Sequence, residues 1–470
     1  MTAARLLGGL LSLALATPLS AQKPEPRPGP ELTLLEAARL ALESHPSVGA
    51  AEARRAAAAA SHDEAAAAWF PDVTLEADYT RFEEPMLVTP LHAFDLTQRP
   101  VFDRDVVVAT LASRWTVFDG GERSGRIGQA DALEDAAKAD LDDARARLLS
   151  AVTSAYLDVL SLAETLDAHE RRLDALEEER DRVQLAVREE KLARVEASRV
   201  EAALAAGRAD RVSAAESLDV AVRDLARLIG QKDIDRAAID TLVGRLVSPV
   251  PRPPETGPGP YRKMPSDAET REARVDSLPT HAETPALRRA ESELAASEAA
   301  RRAAVGSWFP DLQLASGYVE RGALDESYTG EWQVGVQLEY ALFAGGARQA
   351  AVSRAEAERR AAMERLRLVE DETAARIDRA LAAVESTRVR AAALAAAVDA
   401  RGEVARIERV AVEIGAGIES DYLDAVADLL EAQAAEIRAR HSILEAEVEL
   451  ARATGTLDFD WLEQRLREAP

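Results

Sequence analysis

Residues 332–346 read WQVGVQLEYALFAGG, and this stretch decides the fold of the second half of the chain. Apolar side chains occupy every second position of its first eleven residues, which is the pattern of a β-strand with one apolar and one polar face. The apolar set consists of Trp332, Val334, Val336, Leu338, Tyr340 and Leu342. Because glycine tolerates the backbone of a tight bend, Gly345 and Gly346 predict a sharp turn at the end of this strand.

The residues after this turn predict a helix of unusual length. Residues 347–412 are rich in Ala, Leu, Glu and Arg, and no proline occurs between Pro310 and Pro470. These are strong helix formers, whereas proline breaks helix interiors. A helix of roughly 70 residues would extend about 100 Å. Helices of globular domains are much shorter, so the pattern predicts a coiled coil or a helical tube.

The whole arrangement occurs twice. Residues 107–121 read VVATLASRWTVFDGG, and the motif Trp-Phe-Pro-Asp at residues 69–72 recurs at 308–311. Phe118 and Phe343 lie 225 positions apart, and the same separation relates matching residues as far as Gly230 and Gly455. A rigid coiled coil accepts no insertion, because an insertion shifts the apolar register. The first copy is longer only between its two motifs, where residues 83–101 predict a surface loop.

The duplication and the proline-rich stretches divide the chain into predicted segments. An apolar run after Arg5 predicts a secretory signal peptide over residues 1–21. The first predicted repeat covers residues 22–230 and consists of an N-terminal helix, a β-hairpin at 72–118 and a helical hairpin at 120–230. A Pro-rich equatorial linker at 231–282 follows. The second predicted repeat covers residues 283–457, with a helix, a β-hairpin at 311–343 and a helical hairpin at 345–457, and a C-terminal tail covers 458–470.

Each repeat supplies one hairpin, so the chain supplies four strands. The strand before Gly120 and Gly121 is less regular, but Trp115 and Val117 continue its apolar face. An apolar and a polar face, with aromatic residues near the strand ends, fit a lipid-facing barrel with a wet interior. A half-buried sheet of a soluble domain is the alternative. A closed membrane barrel needs about eight strands or more, so four strands require oligomerisation, and a pore favours a trimer of twelve.

Composition excludes several other functions. The net charge of −25 and the lack of a basic patch make nucleic acid an unsuitable partner. The chain has no cysteine, which excludes disulfides, thiolate metal sites and a lipid anchor on cysteine. Its six histidines are scattered, and none has metal-ligand spacing with another. No catalytic grouping is present, and we expect no enzyme activity, no metal and no cofactor.

The motifs together resemble the TolC family of outer-membrane efflux channels over nearly the whole mature length. The resemblance is carried by Leu32-Thr33-Leu34-Leu35-Glu36-Ala37-Ala38 with His45-Pro46, by both Trp-Phe-Pro-Asp motifs, by both Phe-x-Gly-Gly motifs, by Gly415-Ala416-Gly417 followed by Asp421-Tyr422-Leu423-Asp424-Ala425, and by Ala453-Thr454-Gly455-Thr456-Leu457. Each motif alone is weak, whereas their order, duplication and spacing are specific.

The resemblance implies a mainly α fold with a β-barrel portion. Three copies would form a 12-stranded barrel in the outer membrane, continued by an α-helical tunnel in the periplasm. It also implies a passive export conduit for tripartite efflux or type I secretion. Its partners would be outer-membrane lipid, a periplasmic adaptor (membrane fusion) protein and an inner-membrane transporter of the RND, ABC or MFS type. A soluble periplasmic coiled-coil adaptor is the rival interpretation, but adaptors usually carry one helical hairpin, whereas this chain has two.

The resemblance also locates a periplasmic tip turn and a gate. Gly415 and Gly417 match the family's tip turn, whereas the first copy has Leu192 where Gly417 would stand, so we expect that turn to remain closer to helix geometry. Asp421 and Asp424 are three residues apart and share a face of a helix start. Under threefold symmetry they would form two carboxylate rings that select cations. The alternative is that they only complement the helix dipole.

Overall fold

The structure, a computed structural model, describes residues 32–88, 100–231, 284–324 and 328–467. The predicted signal peptide, most of the predicted linker and part of the predicted loop at 83–101 lie outside these residues. The described elements, in chain order, are α1 (Leu34–Ser44), α2 (Pro46–Ala67), β1 (Asp72–Leu87), β2 (Phe102–Phe118), α3 (Glu122–Arg188), α4 (Arg194–Leu228), α5 (Pro285–Gly306), β3 (Asp311–Ala323), β4 (Thr329–Glu339), α6 (Ala347–Glu413), α7 (Glu419–Ala453) and α8 (Phe459–Arg467).

Most of the described chain is helical, and the two copies match in length. Helices α3 and α6 each contain 67 residues, and α4 and α7 each contain 35. At 1.5 Å per residue the longer pair extends about 100 Å. Each long helix returns along its own shorter partner, so each copy forms one antiparallel helical hairpin. The equal lengths agree with the constant separation of matching residues in the sequence.

Side chains at the helix starts explain where the first two helices begin. The hydroxyl of Thr33 accepts a hydrogen bond from the Glu36 amide at 3.2 Å and caps α1. The ring of His45 accepts one from the Ser47 amide at 3.2 Å and caps α2. Such caps satisfy amides that have no partner in the first helical turn. Pro46 follows His45 at a position where its missing amide costs nothing.

The bend from strand to long helix depends on glycine in both copies. Gly120 and Gly345 have φ of +65° and +59°, and Gly121 and Gly346 have φ of +92° and +85°. A side chain at Gly120 would also collide with backbone, because an added Cβ would lie 2.5 Å from the Gly306 carbonyl oxygen. The backbone conformation therefore favours glycine at both bends. At Gly120 the close approach of the second copy requires glycine as well.

The four strands form one antiparallel sheet in the order β1-β2-β3-β4. Its register places the apolar positions of all four strands on the same face. One apolar row across the sheet consists of Leu75, Leu111, Tyr318 and Trp332. The adjacent row on the opposite face consists of Glu76, Thr110, Val319 and Glu331. Over most of the sheet the alternation within single strands thus becomes one apolar and one polar surface. At one end, the otherwise polar face carries a buried apolar cluster that includes Val106 and Ala323.

The last strand is shorter than its alternation predicts. It ends at Glu339, so Tyr340 and Leu342 lie beyond it. The equivalent of Tyr340 in the first copy, Trp115, is still paired, with Leu314 of β3. Strand β2 lies between two neighbours, whereas the outer edge of β4 has no partner strand in the part of the chain that the structure describes. Pairing therefore extends β2, and its absence shortens β4.

The end of β2 contains an irregularity that the alternation did not predict. The register with β3 shifts between Thr116 and Phe118, so that Phe118 lies opposite Leu312. Val117 is left as the extra residue of a β-bulge. The aromatic residue before the glycine pair thereby joins the apolar face.

The main apolar core lies where the two helical hairpins meet the short helices α1 and α8. Leu34, Val152, Leu157, Leu225 and Leu462 are almost completely buried in it. Helix α3 runs through this core, and it contains an 18-residue window of mean hydropathy 1.2, of which 56% is buried inside the chain. By length and composition this window could cross a membrane, but its burial is that of a core helix.

Candidate functional site

The two tip turns are the candidate functional site, and their backbones are alike. Residues 189–193 join α3 to α4, and residues 414–418 join α6 to α7. In the first turn the amides of Lys191 and Leu192 both donate to the Ala186 carbonyl. In the second turn the amides of Ala416 and Gly417 both donate to the Ala411 carbonyl, which is the matching set of bonds.

The first turn follows this path without glycine, contrary to our expectation of a more helical turn. Gly415 has φ of +72°, and its counterpart Glu190 has φ of +61°. Glu190 is the one non-glycine residue with positive φ in the part of the chain that the structure describes. A side chain in this region costs roughly 1–2 kcal/mol. The first tip is therefore strained where the second is relaxed.

The other glycine of the second turn explains a small difference in geometry. A Cβ added to Gly417 would lie 2.9 Å from the Ala411 Cβ, which is closer than real contacts allow. The first copy carries Leu192 at this position, opposite Ala186. There the amide-to-carbonyl distance between residues 192 and 186 is 3.4 Å, against 2.9 Å between residues 417 and 411. The leucine side chain therefore opens the first turn.

Asp421 and Asp424 lie in the first two turns of α7, and both are exposed in the single chain. Leu423, between them, is buried in an apolar cluster formed with α3 and α4. The two aspartates therefore lie away from the contact that holds this helix against the first hairpin. Neither forms an ion pair with a described residue. Their orientation towards a threefold axis stays a prediction.

The first copy differs in charge at the equivalent positions. Glu196 and Arg199 stand where the second copy has Asp421 and Asp424, and they form an ion pair at 3.2 Å. The two opposite charges of this pair sum to zero, whereas two carboxylates without a cationic partner attract cations. The two tips thus differ in charge at these two matching positions.

Behind the aspartates, a buried ionic cluster joins the two hairpins. Glu419, at the start of α7, has a side chain only 2% exposed. Its Oε2 accepts a hydrogen bond from Arg182 of α3 at 3.3 Å. Arg182 also binds Glu179, one turn earlier on α3, with 3.0 Å between its Nε and a carboxylate oxygen. A single guanidinium therefore faces two carboxylates at this junction.

The cluster changes the proton affinity of its members. Burial, followed by the neighbouring Glu179 carboxylate, raises the pKa of Glu419 to about 7. Burial also raises the pKa of Tyr422, and the Glu179 charge adds to this effect. Burial lowers the pKa of Arg182, but its two carboxylate partners outweigh it, and the net shift is upward.

A second buried cluster joins α3 to α7 nearer the core. His441 is 4% exposed, and its Nε2 lies 3.0 Å from Glu164, which also binds Arg440. Burial opposes ionisation of Glu164, but His441 and Arg440 hold its pKa below the ordinary value. This cluster is an internal ionic contact, and it gives the hairpins a second fixed point.

A buried arginine at the strand-to-helix junction was missed by sequence reasoning. Arg123 donates to the carbonyl oxygens of Thr116 and Ala68, at 2.6 and 3.1 Å, and pairs with Asp119 at 2.8 Å. Its guanidinium also stacks on the Trp69 ring, 4.4 Å from the centroid. The signal was available, because Arg123 and Arg348 occupy matching positions after the two glycine pairs.

Among the residues that the structure describes, no group of three or more His, Asp or Glu side chains could hold a metal ion. The polar groups at the tips are instead arranged along a surface and between two helices. Such an arrangement can bind or repel ions and can hold or release a contact between hairpins.

Comparison with known families supports this interpretation. A sequence model described as outer membrane efflux protein matches residues 37–231 and 280–456. No curated protein sequence gives a significant match. The match to the family model covers both repeats, including both strand-to-helix bends and both tip turns.

Three solved structures have the same fold. The outer membrane protein VceC of Vibrio cholerae is 19% identical with a TM-score of 0.71, covering 90% of this chain and 96% of that one. The MtrE outer membrane channel of Neisseria gonorrhoeae, in its open state, is 20% identical with a TM-score of 0.68, covering 90% and 91%. The CmeC outer membrane channel of Campylobacter jejuni is 15% identical with a TM-score of 0.70, covering 93% and 89%.

Proposed function

The chain belongs to the outer membrane efflux protein family, and from this premise we propose that three copies assemble into one closed export conduit. The protein is an outer-membrane efflux channel that extends into the periplasm. The family is generally trimeric and works with adaptor and inner-membrane transporter partners.

The open sheet carries the proposal. Strands β1 and β4 are the two edges of a four-stranded sheet, and neither outer edge is paired with another strand among the described residues. Unpaired backbone groups in lipid cost several kcal/mol each. Joining β4 of one subunit to β1 of the next removes every edge, and three subunits then give twelve strands. The apolar face, which includes Trp332, Val334 and Val336, would lie against lipid.

The duplication specifies the register of the new contact. Within the chain, Trp115 of β2 pairs with Leu314 of β3. Tyr340 is the second-copy equivalent of Trp115, and Leu75 is the first-copy equivalent of Leu314. If both contacts are equivalent, Tyr340 lies opposite Leu75 of the partner subunit. This pairing would also extend β4 to the length that its alternation predicts.

The long helices support the same arrangement. Gly120 lies against Gly306 and Phe309 of the second copy, whereas a Cβ added to its equivalent Gly345 would meet no atom of the described residues within 4 Å. Helix α6 exposes Leu368, Val404 and Ile407, which are each at least half accessible to solvent. An apolar face of this kind on a helix predicts a partner. We propose that α2 of the partner subunit packs on the first part of α6, after Gly346, in the same way as α5 packs on α3.

At the tips, Asp421 and Asp424 are proposed to face the channel axis. Three copies would bring six carboxylates into one entrance, where they would favour cations and repel one another. A periplasmic adaptor and an inner-membrane transporter would bind outside this entrance and open it. We propose that the tip turns contact such partners.

The register can be tested by disulfide cross-linking, because the chain has no cysteine of its own. The double variant Leu75→Cys/Tyr340→Cys should give a covalent trimer on oxidation, since these positions would lie opposite each other between subunits. Denaturing electrophoresis without reductant measures the product. The matched control, Thr74→Cys/Tyr340→Cys, places one thiol on the polar face and should link poorly. Equal linking of both variants, or none, would contradict the proposed closure.

A further inference from the structure

The side chain of Glu419 is buried in a way that the proposed conduit does not explain. Its Oε1 has no hydrogen-bond donor among the described residues, although the residue as a whole is only 3% exposed. Its nearest interaction besides Arg182 is with another carboxylate, that of Glu179. An ionised carboxylate accepts hydrogen bonds but cannot donate one. A proton on Glu419 would satisfy the orphan oxygen and bind it to Glu179.

The charges around this pair do not balance when both carboxylates are ionised. Among the described residues, Arg182 is the one cation that pairs with both of them. Helix α4 faces the same region with Val200 and Leu204, which carry no charge. Helix α6 contributes Arg409, whose positive charge acts to lower the pKa of Tyr422. Its guanidinium, however, already pairs with Glu413 at 3.2 Å. One negative charge would therefore remain uncompensated beside the buried side chain of Glu419, which is energetically costly.

The position of the cluster gives its charge a mechanical consequence. Glu179 and Arg182 belong to the first hairpin, whereas Glu419 begins the helix that carries Asp421 and Asp424. The equivalent junction, between α6 and α4 of the partner subunit, would contain Val404 and Ile407 instead of Glu179 and Arg182. The cluster formed by Glu179, Arg182 and Glu419 would therefore occur at only one of the two types of junction in the tip ring.

We propose that Glu179, Arg182 and Glu419 form a proton-dependent clamp that holds the start of α7, and with it the gate aspartates, against the first hairpin. The clamp is closed when Glu419 is protonated and loosens when Glu419 is ionised. The proposal rests on the conduit described above, because it assigns the regulation of the same tip.

The sign of the pH effect follows from the raised pKa of Glu419. With Glu419 buried against Glu179 and Arg182, as in this structure, its pKa is about 7, whereas an exposed glutamate titrates near 4.5. A raised carboxyl pKa means that the closed arrangement binds the proton more tightly than the open one. Acid therefore stabilises the closed tip, and the stabilisation is lost as the pH rises through about 7.

Single-channel recording in planar bilayers tests the clamp between pH 5.5 and 8.5. The open probability of the wild-type trimer should rise with pH, with a midpoint near 7. Glu419→Gln keeps the shape and removes the titration, so its open probability should stay low and flat. Glu179→Gln removes the repelling carboxylate and should move the midpoint to lower pH. Arg182→Ala removes the cation and should move it to higher pH.

The matched control is Glu403→Gln, which removes an exposed carboxylate that pairs with Arg406 on α6. It should keep the wild-type pH profile. A flat wild-type profile, or a Glu419→Gln profile that still rises, would overturn the clamp while leaving the channel itself established. Absence of any conductance from a cross-linked trimer would count instead against the proposed conduit.

Discussion

The two tip turns have one backbone path and two different side-chain sets. The second turn places Gly415 and Gly417 where the path needs a positive φ and a close approach, and the first turn places Glu190 and Leu192 there. The corresponding hydrogen bonds are nevertheless all present. The path of the turn is therefore imposed by the two long helices that it joins, and the residues of the turn determine only how much strain the path carries.

The same comparison separates geometry from charge. The second hairpin starts its returning helix with Glu419, Asp421 and Asp424, whereas the first has Arg194, Glu196 and Arg199 at the matching positions. After duplication the shared geometry was kept and the charges diverged. The copy with glycine in its turn is also the copy whose two carboxylates form no ion pair with a described residue. We infer that the second tip performs the gating and that the first supports it.

Breaking the shared register should have the largest effect. One alanine inserted after Ala144 would rotate the rest of α3 by about 100° relative to its partners, since a helix has 3.6 residues per turn. We expect complete loss of the detergent-stable trimer, measured by native mass spectrometry. The same insertion in the predicted loop, at residues 89–99, should leave the trimer intact. Equal tolerance of both insertions would show that the constant separation of the copies has no structural role.

Removing the charge difference between the tips should have the next largest effect. The double variant Asp421→Ala/Asp424→Ala should lower the cation preference of the channel several-fold and weaken block by trivalent cations. Carboxylates about 6 Å apart at an effective dielectric near 20 interact by roughly 3 kcal/mol, so the field at the entrance is large. Reversal potentials in a salt gradient measure the preference.

The control for this variant is Glu196→Ala/Arg199→Ala, which changes the matching positions of the first tip. It should leave ion preference unchanged, because it removes a neutral pair. If both double variants behaved alike, the gate aspartates would be helix-start residues only.

Exchanging the residues at positive φ should have a moderate effect of opposite sign in the two turns. Glu190→Gly should relieve strain and stabilise the first turn by about 1 kcal/mol, whereas Gly415→Glu should destabilise the second by a similar amount. Hydrogen exchange of the amides in each turn should slow about fivefold in the first variant and quicken about fivefold in the second. A Glu190→Gly variant with faster exchange would contradict the inferred strain.

The smallest expected effect concerns Gly417. In Gly417→Ala the new methyl group would press on Ala411, so the turn should open as it does around Leu192 and lose about 0.5 kcal/mol. Exchange of the residue 417 amide should quicken about twofold. Gly402→Ala provides the control, because the nearest atom to its added Cβ is 3.8 Å away. That change should stabilise α6 through helix propensity, by up to about 1 kcal/mol.

Much of the fold could be predicted because its determinants are local and repeated. Alternation and paired glycines located the strands and bends, and proline-free runs located the long helices. The end of β4 could not be predicted, since whether Tyr340 pairs depends on a neighbouring strand and not on its own side chain. The bulge at Val117 was missed for the same reason, because it is a property of the register with β3.

Of the candidate site, the sequence located the tip and its carboxylates but not the groups that hold them. Asp421 and Asp424 were found through a motif, and the structure leaves their axial orientation as a prediction. Glu179 lies in a run of three glutamates that has no recognisable motif, yet it is 9% exposed and bound to Arg182. The path of the first tip turn also disagreed with expectation, because the helices on either side outweigh the preference of Glu190.

The sequence by itself determined the duplication, the lengths of the helices, the alternation of the strands and the family. These follow from backbone preferences and apolar spacing, which are properties of neighbouring residues. Only the tertiary structure decided which residues of distant helices meet: Arg182 with Glu419, His441 with Glu164, and Arg123 with the carbonyls of β2. The reason is physical, because burial and pairing of charge depend on how two helices are placed side by side, and no local pattern records the relative rotation of helices 237 residues apart in sequence.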